Sequence, residues 1–157
     1  MQRTPLIAAN WKMNGSAALA EQMTATLAGL PLDKVCVVVC PPATLLTRFS
    51  SSGGFALGGQ TLSHESSGAS TGEISAELLQ EAGASYVIVG HSERRTLNFE
   101  SDALVAAKLA QAVAASDSEA TRRTVHSMAL DFSSNKATKL STGFGAGPLV
   151  LRAKYPF

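Results

Sequence analysis

The sequence predicts an α/β fold: part of a (β/α)8 barrel, about four N-terminal βα units followed by an irregular C-terminal tail. Three observations predict it. Short apolar runs alternate with helical patterns four times over residues 1–115, the rhythm of a parallel sheet. The runs are continuously apolar, as strands buried on both faces are. They begin at residues 6, 35, 55 and 86, about 27 residues apart, so a full barrel of roughly 250 residues would hold eight such units and this chain has room for about five.

The elements follow in order. Leu6 to Asn10 is the first apolar run. Ser16 suits an N-cap, and Leu19, Met23 and Leu27 recur at helical spacing until Gly29 and Pro31 stop the helix. Val35 to Cys40 is the second run, and Pro41-Pro42 opens a predicted helix through about Phe49. Phe55 to Gln60 is a third run, weakened by Gly58 and Gly59. Ser75 to Ala82 reads as helix with Gly83 as its stop. Tyr86 to Gly90 is the fourth run, and Asp102 to Ala115 is an Ala-rich helix with Leu104, Lys108 and Leu109 near one stripe.

Composition narrows the function classes. A 45% hydrophobic share with 16% charged residues excludes wholesale disorder. The longest apolar run is far short of the ~20 residues of a membrane helix. A net charge of +1 gives no field that gathers nucleic acid or a membrane surface, so neither is an expected partner. Cys36 and Cys40, four apart in a strand, stand about 13 Å from each other, beyond disulfide reach. Two reduced buried thiols, and no apolar core before Pro5, give the expectation of a cytoplasmic protein. Residues 1–115 carry a net charge of −2 and residues 116–157 a net +3. The βα rhythm stops at the same place, so 1–115 is read as barrel units and 116–157 as an unassigned tail. A shifted reading frame or a truncation after Ala115 is the expected origin of that tail.

In parallel α/β folds, chemistry sits at the carboxyl ends of the strands. The first run ends in Asn10-Trp11-Lys12. Lys12 there supplies positive charge to an anionic substrate, with Asn10 orienting it; the same positions also suit a surface lysine and a turn asparagine. The fourth run ends in Gly90-His91-Ser92-Glu93-Arg94-Arg95. His91 at the start of a short helical turn suits a neutral electrophile, with Glu93 bracing Lys12 or an arginine; a capped turn with solvated ion pairs fits as well. Gln60 to Glu73 is a 14-residue polar loop, long enough to be an arm that docks on another subunit. His64 and His126 have no ligand-type neighbours at metal spacing, so no metal site is expected. The Gly143, Gly145, Gly147 run precedes Pro148 without strand-to-helix context and is a weak phosphate-loop signal.

Three stretches together resemble triosephosphate isomerases: Ala8 to Gly15, Gly68 to Ser75, and Tyr86 to Arg95. The resemblance covers residues 1 to about 115. It implies a partial TIM barrel and the interconversion of dihydroxyacetone phosphate and glyceraldehyde 3-phosphate in glycolysis and gluconeogenesis. The family's established pair is a Glu base and a neutral His electrophile. By motif, Asn10 and Lys12 match the substrate-binding pair, His91 the electrophile, and Glu93 the acid beside it; Lys12, His91 and Glu93 are the implied catalytic residues. Thr71 matches the tip of the dimer loop, so a homodimer is implied, with triose phosphate as the small-molecule partner and no metal or organic cofactor. The family's catalytic Glu lies in a segment like Tyr-Glu-Pro-Val-Trp, and none occurs here; Glu119 lies in a Ser- and Thr-rich stretch with no strand before it. The alternative expectation is therefore a catalytically dead fragment that associates through open strand edges or through the loop.

Overall fold

The computed structural model describes residues 4–49 and 54–116. Glu119, His126, the Gly143–Gly147 run and the reading-frame expectation lie outside the described residues. Four strands, β1 (Leu6–Asn10), β2 (Cys36–Cys40), β3 (Ala56–Gly59) and β4 (Ala84–Val87), form one parallel sheet in the order β1-β2-β3-β4. Between and after them come α1 (Ala17–Ala28), α2 (Ala76–Glu81), α3 (Ser92–Leu97) and α4 (Asp102–Ser116). This is the predicted α/β architecture.

The apolar runs are two-faced because both faces of the sheet are packed. Val39, Leu57, Val87 and Val89 join Ala20, Leu79 and Ala112 from the helices in the larger core. On the opposite face, Val38, Cys40 and Ile88 are buried among Leu6, Ala8 and Tyr86, all from strands or their extensions. Cys36 and Cys40 are free thiols, Cys40 buried and Cys36 only half-buried, with Cys36 Sγ 3.3 Å from the Tyr86 hydroxyl.

Ser16 caps α1, its hydroxyl accepting from the Leu19 amide at 3.1 Å. The helix turns most of its predicted stripe inward, with Leu19 as the exception. Ala20 is fully buried with Met23 and Leu27 against the same core, while Leu19 is 40% exposed. After Pro41-Pro42 the chain makes a 3-10 turn, Ala43–Arg48, instead of an α-helix. Its first position has no side-chain cap, unlike α2 and α3 of the same length, which Ser75 and His91 cap, and Phe49 is already extended. Leu46 is buried under that turn, and the Trp11 ring meets Phe49 edge-on at 5.5 Å. β4 lies two residues earlier than its apolar run, because the pairing of β3 with β4 shifts between Leu57 and Gly58. The Ile88 amide still donates to the Gly59 carbonyl at 2.9 Å.

A buried ion cluster ties α3 to α4. Glu100 Oε1 accepts from Arg94 Nε at 2.6 Å and from Lys108 Nζ at 2.7 Å, and Lys108 Nζ also donates to Thr61 Oγ1 at 3.1 Å. No described helix is long and apolar enough to cross a membrane.

Candidate active site

The site is built where β1 and the β4 run end. Beyond Asn10 the Trp11 amide still bonds to the Cys40 carbonyl, at 3.0 Å. Lys12 then turns left-handed, with φ 54°, a conformation a lysine rarely adopts. Its peptide groups are held at both ends. Asn10 Oδ1 accepts from the Lys12 amide at 2.9 Å, and Gln60 Nε2 donates to the carbonyls of Lys12 and Cys40, each at 2.9 Å. Surroundings that fix a strained residue this way hold its side chain in one direction. Asn10 thus acts on the main chain of Lys12, not on its ammonium.

The direction set for Lys12 leads to Glu93, with Nζ 2.5 Å from Oε1. The lysine hydrogen bond holds the Glu93 carboxyl below the usual carboxylate range and outweighs the opposing effect of burial. Both partners are about half exposed, so the pair adds little stability; its consequence is placement.

Gly90, at φ 71°, ends the β4 run, and Arg95 Nε donates to its carbonyl at 3.1 Å. His91 then caps α3 with its own ring, Nδ1 accepting from the Glu93 amide at 3.1 Å. Accepting through Nδ1 puts the proton of the neutral ring on Nε2. The ring is 13% exposed, and burial pushes its pKa below 6.5; Lys12 adds to this, while Glu93 opposes it. Neutral His91 is therefore an N–H donor, not a cation, at neutral pH.

The neutral state of His91 is testable. Its imidazole nitrogens, followed by NMR, should titrate with a midpoint below 6.5. Glu93→Gln removes the neighbour that favours the imidazolium and leaves Lys12 unneutralised, so the midpoint should move further down. The unfolded chain takes the proton more readily, so stability falls as pH drops below about 6.5 and levels off beneath the folded pKa. A midpoint that rises in Glu93→Gln contradicts this account.

The structure thus brings four predicted residues together: Asn10, Lys12, His91 and Glu93. Gln60 belongs with them and escaped the sequence reading, where it was only the first residue of the polar loop. Its signal is shared with Asn10 and His91: a polar side chain directly at the end of an apolar run. Thr71 is exposed in the loop and takes no part in these hydrogen bonds. The loop is ordered. The Ser63 amide donates to the Ile74 carbonyl at 2.8 Å across its neck, and Ser70 Oγ donates to Glu65 Oε2 at 2.6 Å. His64 is exposed in it.

A lysine cation and a neutral imidazole donor brought together from the carboxyl ends of two strands suit an anionic substrate whose carbonyl oxygen gains charge. The family model described as triosephosphate isomerase matches residues 5–118. The chain belongs to the triosephosphate isomerase family. The triosephosphate isomerase of Alcanivorax borkumensis is 49% identical over 117 residues, covering 73% of this chain and 47% of that protein. That of Rhodopseudomonas palustris is 52% identical over 110 residues, 66% of this chain and 44% of the relative. The crystal structure of triosephosphate isomerase from Bartonella henselae superposes with a TM-score of 0.68 at 46% identity, covering 72% of this chain and 48% of that one. The chain thus spans about half the length of the triosephosphate isomerases it matches.

Proposed function

We propose that this chain carries the substrate-gripping and carbonyl-polarising side of a triosephosphate isomerase site. The reaction it serves is the interconversion of dihydroxyacetone phosphate and glyceraldehyde 3-phosphate. The observation behind this is the convergence of Lys12, Glu93 and His91 from the carboxyl ends of β1 and the β4 run. In this reading Lys12 meets the negative charge of the substrate, and His91 donates its Nε2 proton to the carbonyl oxygen. Enediolate charge is then shared with a donor that needs no reorganisation. Glu93 holds Lys12 in place, with its Oε1 engaged by the lysine ammonium. The family's catalytic Glu segment has no counterpart in the sequence. In this reading no described residue of the cluster takes the proton from carbon, and the part played by the chain is binding and polarisation.

The same reading includes a cytoplasmic homodimer through the Gln60–Glu73 loop, with Thr71 reaching toward the neighbour's site. Large apolar side chains next to the cluster in sequence support a covering partner: Met13 is 95% exposed, Leu97 72% and Phe99 86%.

The test uses 2-phosphoglycolate, whose planar carboxylate holds charged oxygens next to a phosphate ester where the enediolate holds its own. Two charged contacts at roughly 1.5–3 kcal/mol each give a dissociation constant near the millimolar range. Amide shifts around His91 should saturate with the ligand, and Lys12→Met should abolish the saturation. A coupled assay should show no turnover of glyceraldehyde 3-phosphate above background. Binding unchanged in Lys12→Met overturns the assigned role of the lysine, and robust turnover overturns the lack of a base.

A further inference from the structure

α4 touches the segments that carry the site at three successive turns, through Asp102, Val105 and Lys108. Asp102 Oδ1 accepts from Arg95 Nη1 at 2.6 Å, and Arg95 Nε donates at 3.1 Å to the carbonyl of Gly90, the residue before His91. Val105 packs on Gly90, where an added Cβ would stand 3.0 Å from Val105 Cγ1. Lys108 Nζ donates to Glu100 Oε1 at 2.7 Å and to Thr61 Oγ1 at 3.1 Å. Thr61 follows Gln60, whose side-chain amide holds the carbonyls of Lys12 and Cys40. Stability alone does not call for this lysine. Arg94 already pairs with Glu100 at 2.6 Å, so a second cation on the same oxygen leaves the three groups with a net positive charge. Lys108 is 3% exposed, and an apolar residue of its length would fill the stripe of α4 without desolvating an ammonium. What an apolar residue lacks is a donor for Thr61.

We propose that Lys108 is a positioning residue for Lys12: through Thr61 it fixes the backbone that aims Gln60, and Gln60 in turn fixes the left-handed main chain of Lys12. The contacts form one continuous path, from Lys108 Nζ to Thr61 Oγ1, along the chain to Gln60 Nε2, and on to the Lys12 carbonyl. Through Glu100 and Arg94 the same ammonium holds α3, whose N-cap is His91. One buried cation therefore sets the spacing between the lysine side and the imidazole side of the site. Placement of this kind matters because charged and hydrogen-bonding contacts to a ligand weaken steeply once the groups leave their productive geometry. Lys108 itself meets no substrate; it acts on Lys12 from behind, through two residues of the turn that follows β3.

This role rests on the reading of Lys12 as the residue that meets the substrate, and the experiment separates the two. Thr61→Val removes the hydroxyl and keeps the shape, Thr61→Ser keeps the hydroxyl, and Lys108→Met removes the ammonium. Each full chain is read by NMR below its unfolding transition, for hydrogen exchange of the Gln60 side-chain amide and for saturation of the His91 amide shifts with 2-phosphoglycolate. Thr61→Val should exchange the Gln60 amide about tenfold faster and bind the ligand about tenfold more weakly, the worth of one hydrogen bond to a charged group, while Thr61→Ser stays within about twofold of the native chain. Lys108→Met should match Thr61→Val in both measures; the two Thr61 variants decide the matter if it fails to fold. Unchanged Gln60 exchange in Thr61→Val overturns the proposal, and so does a Thr61→Ser chain as impaired as Thr61→Val. Where the native chain binds, equal affinity in Thr61→Val overturns it too and leaves the substrate reading standing. A native chain that does not bind 2-phosphoglycolate removes the substrate reading, and Gln60 exchange alone then decides the positioning of Lys12: faster exchange in Thr61→Val upholds it.

Discussion

Replacing Glu100 with Gln is expected to cost about 3–5 kcal/mol, the loss that follows when one member of a buried ion pair is removed and its partner stays. Set against the 5–15 kcal/mol of a typical domain, that is enough to leave much of the chain unfolded. Glu100 is 4% exposed and Lys108 3%. One carboxylate oxygen takes hydrogen bonds from two cations, and the other, Oε2, has no protein partner. Burial alone pushes the Glu100 pKa up, and the hydrogen bonds from Lys108 and Arg94 outweigh it, so the group lies below 4.5. A depressed carboxylate contributes stability at neutral pH that is lost as pH falls through its folded pKa. Urea denaturation at pH 7 should show the Glu100→Gln deficit in full, and the gap to the native chain should narrow on acidification below pH 4.5. Glu100→Leu combined with Lys108→Met should recover most of the loss, because no unpaired charge stays behind. A deficit below about 1 kcal/mol in Glu100→Gln would show that the cluster is solvated in the native chain.

Nothing in the sequence reading singled out Glu100. It sits in a link between two helices, and its partners come from six residues before and eight after. The one legible clue was Lys108 inside the apolar stripe of α4, where a cation is tolerated only with a partner. Which acid answers it is a matter of tertiary approach. The Lys12–Glu93–His91 cluster was far more legible, because topology does the work: parallel strands deliver the residues at their carboxyl ends to one rim. What the sequence could not carry was the role of Asn10 and Gln60 in clamping the Lys12 backbone. A hydrogen bond to main chain leaves no pattern in residue types. In α1, Met23 and Leu27 of the apolar stripe meet the core and Leu19 does not, for a related reason. Ala20 sits closest to the sheet because a small side chain allows close approach, and hydrophobic size alone favours Leu19.

Gly58 illustrates the same limit and gives a second large effect. In the sequence it weakens the third strand; in the sheet it is required by its neighbours. A Cβ on Gly58 would stand 2.6 Å from Cys40 Sγ, 3.2 Å from Val38 Cγ1 and 3.4 Å from Tyr86 Cβ. Gly58→Ala is thus an overpacking change in a face already filled, expected to cost about 1–3 kcal/mol. The contact that matters most is the sulfur. Cys40 is 1% exposed, and burial pushes its thiol up to about 12, so it stays a neutral, space-filling group at any physiological pH. Cys40→Ala takes that sulfur away. The two substitutions should therefore be non-additive in urea denaturation, with the double variant more stable than the sum of the single losses predicts. The coupling should fall in the range of roughly 0.5–3 kcal/mol found for residues in contact. Additive losses would mean that Val38 and Tyr86 set the limit at Gly58, and that the cysteine moves aside.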